Sequence, residues 1–292
     1  MADTVAFIGL GTMGFPMAGH LARRGVEVAV WNRAPAKSHA WAARHPGRIA
    51  QNAADAARDA AFVMTCVGND DDVRQVVLGP RGAFAGMKPG AVLIDHTTAS
   101  AGLARELEAK AEALGLGFLD APVSGGQSGA EAGQLTVMAG GRPETFERAK
   151  PVIEAYARMI ALMGPAGSGQ LTKMVNQICL AGLIEALAEG LAFGRAAGLD
   201  LEKVIAVISK GAAQSWQMDN RAKTMIEGRF DFGFAVDWMR KDLGIVFDES
   251  RRLGLSLPAA ELADSLYAEV QKMGGGRWDT SSLIARIKQH EI

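Results

Sequence analysis

The pattern of apolar and polar positions changes period once along the chain, near residue 163. Before that point short, mainly apolar runs recur at residues 5–8, 26–31, 61–67, 91–94, 117–121, 135–139 and 158–163, the first of them continuous. Such runs predict strands buried on both faces, as in a parallel sheet. Helical spacing fills the gaps: Met17 and Leu21 lead to a stop at Arg23, Arg24 and Gly25, and Pro143 opens a helix to about residue 156. After residue 163 strand signals cease. Helices are predicted at 169–197, 202–210, 216–226, 236–252, 258–273 and 280–289, parted by glycine-containing turns, with Asp279 or Thr280 capping the last. The expected organisation is an α/β, doubly wound sheet over residues 1–163 followed by an all-α C-terminal domain over 164–292.

The first strand runs into Gly9, Leu10, Gly11, Thr12, Met13 and Gly14, a G-x-G-x-x-G between strand and helix. The three glycines serve different mechanical ends. Gly9 makes the tight turn, Gly11 lets backbone approach a pyrophosphate, and Gly14 allows the helix to pack on the strand. The pyrophosphate would rest on the helix N-terminus. Alone the motif is weak, but strand, glycine turn, helix and second strand form the context that dinucleotide binding requires, so a Rossmann-type domain holding NAD or NADP is predicted. The second strand ends in Asn32 and Arg33, where NAD binders usually place Asp or Glu for the ribose 2′-hydroxyl. A guanidinium can instead grip a 2′-phosphate through two hydrogen bonds, and Lys37 adds charge, so NADP is favoured over NAD.

Ligands bind at the carboxyl ends of strands in such a sheet. There the chain offers Gly68, the acidic run Asp70, Asp71 and Asp72, and Thr98, a candidate cofactor contact. The acidic run fits the first turn of a helix better than a metal site. His96 has no partner at metal spacing and is expected to be structural; His20, His39, His45 and His290 form no constellation, so no metal is expected. Further on, Ser124, Gly125 and Gly126 could converge their N–H groups and a hydroxyl on a substrate carboxylate. They also read as a plain glycine-rich hairpin before 135–139.

The stretch from Gly164 to Gly190 carries one lysine on an apolar helix. Leu171, Met174, Val175, Ile178 and Cys179 recur at helical spacing, and Lys173 shares a face with Asn176 and Gln177. Desolvation there would bring a lysine toward proton transfer near neutral pH. A lysine at a helix start can equally snorkel to water.

Composition narrows the partners. The chain has 292 residues, 49% of them hydrophobic, enough for two domains with sizeable cores. Net charge is −1 without blocks of like charge, which argues against nucleic acid or an anionic membrane and leaves small molecules. Cys66 and Cys179 are expected to be small buried hydrophobes in a reducing compartment, and Trp216, Phe234 and Trp238 to be core. The start shows no signal-peptide pattern, and no apolar run approaches the ~18 residues of a membrane span, so a soluble, cytoplasmic protein is expected. Gly182, Gly190 and Gly194 each cost about 1 kcal/mol of helix propensity, which close packing by another helix, of this chain or of a second subunit, would offset. A homo-oligomer is expected.

IGLGTMGFPMAGHL (8–21), DAPVSGG (120–126), GSGQLTKMVNQ (167–177), KDL (241–243) and WDTSSL (278–283) together resemble the 3-hydroxyisobutyrate dehydrogenase, or β-hydroxyacid dehydrogenase, family over almost the whole chain. The resemblance implies a Rossmann domain joined by a long interdomain helix to the helical domain. It also implies that Lys173 is the catalytic lysine and Asn176, beside Gln177, the substrate-orienting amide. Ser124, Gly125 and Gly126 would cradle the substrate carboxylate, and Val67, Gly68, Asp72, Thr98 and Lys241 would contact the cofactor. One departure bears on NADP: family members that use it often carry Asn-Arg-Thr after the second strand, and here the third position is Ala34.

The expected activity is hydride transfer between nicotinamide and a small 3-hydroxy acid or its semialdehyde, with Lys173 as general acid and base. Serine oxidation, an imine-reducing relative and a non-catalytic NAD(P)-binding protein are the alternatives. A decarboxylating sugar-acid dehydrogenase would need an Arg and Lys cluster for a sugar phosphate, which the chain lacks.

Overall fold

A computed structural model describes residues 4–287. The chain divides into two compact units, Met1–Lys173 and Met174–Ile292, with the division inside the long helix.

In the first unit, among the described residues, nine strands form one sheet: β1 (Thr4–Ile8), β2 (Glu27–Trp31), β3 (Arg48–Ile49), β4 (Phe62–Thr65), β5 (Val92–Asp95), β6 (Gly117–Asp120), β7 (Val123–Ser124), β8 (Leu135–Gly141) and β9 (Ala157–Gly164). The order β3-β2-β1-β4-β5-β6 is parallel throughout; β8 runs antiparallel to β6 and β7, and β9 parallel to β8. The apolar runs follow from two cores, one on each face. Phe7, Met64, Ile94 and Leu119 point to one core, and their chain neighbours Ile8, Val63, Leu93 and Phe118 to the other. Each such side chain contributes roughly 1.5–3 kcal/mol on burial.

Helices α1 (Gly14–Arg23), α2 (Pro35–Ala42), α3 (Ala53–Ala57), α4 (Asp70–Leu78), α5 (Ala101–Ala113), α6 (Gly126–Ala132) and α7 (Pro143–Ile153) accompany the sheet. The hairpin alternative after Ser124 is corrected: β7 pairs with β8, but α6 lies between them, masked in the sequence by Gly126, Gly129 and Gly133. The helix opened by Pro143 stops at Ile153, short of residue 156.

The long helix α8 (Ser168–Ala196) spans the division, and the second unit continues with α9 (Leu201–Ile208), α10 (Trp216–Ile226), α11 (Val236–Leu253) and α12 (Pro258–Lys272). Ile184, Leu191, Met218, Met239, Leu243, Tyr267 and Leu283 build its core. The predicted last helix is a 3₁₀ helix, Thr280–Arg286, and positions 288 and 289 lie outside the described residues. Wholly buried Asp279 caps it at Ser281 and accepts from the Phe234 N–H (2.9 Å) and the Arg221 guanidinium (3.1 Å). The WDTSSL segment is thus a packing hub.

Three expectations are corrected here, those for the cysteines, the tryptophans and the apolar run, and within this chain the glycine packing holds at Gly194 alone. Cys179 is exposed and Cys66 half-buried, because Cys179 shares the outward face of α8 with Val175 and Leu183, four residues to either side. Trp216 and Trp238 are 45% and 39% exposed; Arg221 lies over the first ring and Lys241 over the second, cation contacts that partly cover an aromatic at the surface. Gly194 is closely packed, as a Cβ there would sit 2.9 Å from Leu201, whereas Gly182 and Gly190 face open space. Finally, α8 is by length and composition apolar enough to cross a membrane, with a mean hydropathy of 1.4 over 18 residues. Along it Gln170, Lys173, Gln177 and Glu185 are nonetheless buried, the pattern of a helix inside a protein.

Candidate active site

Strand order reverses between β1 and β4, and the glycine turn stands at that point, where ligands bind in open α/β sheets. Gly9 has φ +97°, and a Cβ on it would collide with the Cys66 carbonyl; one on Gly14 would collide with the Gly9 carbonyl. At Gly11 a Cβ would meet nothing within 4 Å. Packing therefore dictates the outer glycines, while the middle one faces the open space that an approaching pyrophosphate needs. Asn32 holds this turn: its Oδ1 accepts the Leu10 N–H at 2.8 Å and its Nδ2 donates to the Ala34 carbonyl at 3.1 Å. Thr12 and Met13 lead into the N-terminus of α1.

The acidic run at the start of α4 divides its work. Asn69 caps the helix through the Asp72 N–H; the Asp70 carboxylate accepts from the Ser100 N–H and hydroxyl; Asp71 is 96% exposed; and Asp72 accepts from Arg33 at 2.8 Å. Among the described residues no group of three or more His, Cys, Asp or Glu could hold a metal ion. The Val67 N–H donates to Thr97 Oγ1 at 3.0 Å, joining the loops after β4 and β5, where half-buried Gly68 and Thr98 also lie.

Two buried titratable groups stand at the end of β5. Asp95 Oδ1 accepts from the Thr65 hydroxyl (2.7 Å) and the Thr97 N–H (3.1 Å); burial pushes its pKa up to about 6 against those bonds. Burial lowers His96 to about 4, so it is neutral, its Nδ1–H donating to the Ala121 carbonyl at 2.7 Å and its Nε2 accepting from Tyr156 at 2.8 Å. His96 is structural, as its sequence context predicts.

After β7, half-buried Ser124 is followed by Gly125 and Gly126 at φ +127° and +60°, conformations open to glycine, with Gly125 at the N-cap of α6. Asp120, at the end of β6, accepts from the Gly167 N–H (2.7 Å) and the Gln170 N–H (2.8 Å) and so caps α8. Burial raises its pKa, and these two N–H groups oppose that rise. Gln170 in turn donates to the Thr97 carbonyl at 2.7 Å and accepts from the Ala99 N–H at 3.0 Å. Lys173 stands three residues beyond Gln170 and is only 8% exposed, so the buried alternative holds over the snorkelling one.

Residues 4–164 match the family model described as the NAD-binding domain of 6-phosphogluconate dehydrogenase, and residues 167–287 match that of the NAD-binding region of NADP-dependent 3-hydroxyisobutyrate dehydrogenase. The chain belongs to the 3-hydroxyisobutyrate dehydrogenase family. It is 62% identical over 285 residues to an uncharacterized oxidoreductase of Shewanella frigidimarina, covering 98% of each chain. It is 33% identical to 2-hydroxy-3-oxopropionate reductase of Escherichia coli, covering 97% of each. The 3-hydroxyisobutyrate dehydrogenase of Mycobacterium tuberculosis, solved with L-serine, has the same fold at a TM-score of 0.90 and 32% identity, with 99% of this chain and 100% of that one covered. The protein is accordingly an NAD(P)-dependent oxidoreductase of the hydroxyacid dehydrogenase type.

In the second unit of this family member, the Gln177 Nε2 donates to Asp242 at 2.7 Å, Asn176 donates to the Gln177 Oε1 at 2.7 Å, and Lys241 pairs with Asp242 at 2.8 Å. Asp242 is 3% exposed and anchors Gln177 and Lys241 directly, with Asn176 joined to it through Gln177. Asp242, Asp120 and Gln170 fall within the motifs, yet sequence reasoning assigns them no role. The available signal was chemical: a carboxylate or amide inside an otherwise apolar segment needs a partner once buried.

Proposed function

We propose that the enzyme moves a hydride between NADP, or less readily NAD, and a small 3-hydroxy acid or its semialdehyde, with Lys173 as general acid and base. The observation that carries this reading is the placement of Lys173. It is buried three residues past an amide lashed to the backbone of Thr97 and Ala99, at the strand ends that also carry the glycine cradle. The nicotinamide ring donates or accepts the hydride when bound. The chain must then handle a proton at the substrate oxygen, since an alkoxide would otherwise accumulate, and a desolvated lysine is suited to that transfer.

The other roles follow by motif. Ser124 with the Gly125 and Gly126 amides would hold the carboxylate, Asn176 and Gln177 would orient the hydroxyl, and Lys241, Val67, Gly68 and Thr98 would contact the cofactor. Arg33 favours NADP, the residues fit a dinucleotide at Gly9 to Gly14, and the second matched family model is that of an NADP-dependent enzyme. Candidate substrates are 3-hydroxyisobutyrate, tartronate semialdehyde and succinic semialdehyde. Serine is a second reading, favoured by the M. tuberculosis relative solved with L-serine. We further propose a homo-oligomer, supported by the outward strip Val175, Leu183 and Phe193 on α8, at 61%, 46% and 74% exposure. Small carboxylates rather than nucleic acid or membrane would be its partners.

Lys173→Ala tests the assignment. Turnover should fall by about 10²- to 10⁴-fold while the NADPH dissociation constant, read by nucleotide fluorescence, stays unchanged. Retention of more than a few per cent of kcat would show that Lys173 is not the proton-transfer group. A steady-state screen of the four acids and aldehydes with NADPH and NADP⁺ then names the substrate.

A further inference from the structure

We infer that Asp72 sets the balance between NADP and NAD, by holding Arg33 in an ion pair that a 2′-phosphate has to share and a 2′-hydroxyl does not. The inference rests on the proposed reading of Arg33 as the 2′-phosphate residue and refines it.

Three observations support it. Arg33 Nη1 lies 2.8 Å from Asp72 Oδ1, so the one guanidinium at the end of β2 already has a carboxylate on it. That carboxylate comes from the start of α4, after β4, on the other side of the point where the strand order reverses, whereas β2 itself ends without an acidic residue. Its two neighbours are engaged elsewhere: Asp70 is held by Ser100, and Asp71 is 96% exposed beside Arg74. Among three successive acids only Asp72 touches Arg33.

A guanidinium has five N–H donors and can serve two anions. A carboxylate and a phosphate on one guanidinium still repel each other, while a neutral ribose hydroxyl meets no such penalty. Asn32 gives no relief, because both ends of its amide are bonded to backbone. The chain therefore combines an arginine of the NADP type with a built-in competitor for its ligand, which leaves NAD usable.

The test is titration of the full-length protein with NADPH and NADH by nucleotide fluorescence, for wild type, Asp72→Asn, Asp72→Ser, Asp71→Asn, Arg33→Ala and the double variant Arg33→Ala/Asp72→Asn. The Asn69 cap bonds the backbone N–H of Asp72, so the helix start survives these changes, which circular dichroism verifies. Removing the competitor should tighten NADPH by about three- to tenfold and leave NADH within about twofold, the range for an exposed ion pair plus charge repulsion in water. Asp71→Asn should leave the ratio of the two constants unchanged, and Asp72→Asn should have no effect once Arg33 is gone. The inference is overturned if Asp72→Asn and Asp72→Ser leave the ratio unchanged, if Asp71→Asn shifts it as much, or if they weaken NADH, which would make Asp72 a ribose ligand. Arg33→Ala without effect on NADPH is a different failure: it would remove the reading of Arg33 itself.

Discussion

Replacing Asp120 by alanine probes the join between the sheet and the helix that carries Lys173. Asp120 is wholly buried, and its two oxygens take the N–H groups of Gly167 and Gln170 at 2.7 and 2.8 Å. In the variant both donors stay buried without an acceptor, at about 1–3 kcal/mol each, so roughly 2–6 kcal/mol is lost. The variant recovers a part of this, because it no longer buries a carboxylate whose pKa desolvation raises. The helix cannot slide to new acceptors: a Cβ on Gly169 would lie 2.7 Å from the Asp120 carbonyl, so the backbones already touch. For a unit of this size about 2–4 °C accompanies each kcal/mol, which puts the fall in melting temperature at roughly 5–15 °C by calorimetry. Lys173 follows in the same helix start, so on the proposed role kcat should drop at least about tenfold while NADPH binding, which the proposal assigns to the separate β1–α1 turn, holds. Asp120→Asn keeps one acceptor and should show about half the thermal effect. A melting temperature within about 1 °C of wild type, or an NADPH constant that moves as far as kcat, would refute the positioning role.

Two further outcomes are expected. His96, lowered to about 4, holds fewer protons folded than unfolded between about pH 4 and 6.5, so its contribution is lost as pH falls; Asp95, raised to about 6, holds more and gains stability over the same fall. In His96→Gln only the Asp95 effect remains, so by urea denaturation the variant should gain on wild type by on the order of 3 kcal/mol from pH 7 to 4; a constant difference would contradict the assignment. Phe193→Glu, at the most exposed aromatic of the α8 strip, should reduce the mass found by light scattering, and an unchanged mass would place self-association elsewhere.

Most of the fold was legible because its causes are local. Apolar runs become strands where both faces meet a core, as at Val63 and Met64, and one glycine turn announces the crevice. What escaped is made of pairs formed through space. Arg33 and Asp72 are 39 residues apart, Asp120 and Gln170 are 50, and Gln170 and Thr97 are 73. Each partner reads in sequence as an ordinary surface acid, cap or amide. The exposed indoles of Trp216 and Trp238 escaped for a related reason: a ring is taken for core until the cation above it is known.

Glycine shows how the same composition carries opposite physical causes. At Gly182 and Gly190 a side chain would meet nothing, so the helix-propensity cost there has no compensation within the described chain. At Gly140 a Cβ would lie 2.8 Å from the Gly169 N and 2.9 Å from the Pro165 carbonyl, and at Gly169 it would lie 2.7 Å from the Asp120 carbonyl. These two glycines let the start of α8 press against β6 and β8 closely enough for a short carboxylate to reach its N–H groups. A proton-transfer group must be held to within tenths of an ångström, and side chains on a loop do not give that. Backbone groups do, because they lack rotamer freedom, and Gln170 anchors the helix to the Thr97 and Ala99 backbone just as Asp120 anchors it through Gly167. The glycines before Lys173 thus matter less as a ligand loop than as the spacing that lets the sheet hold the lysine.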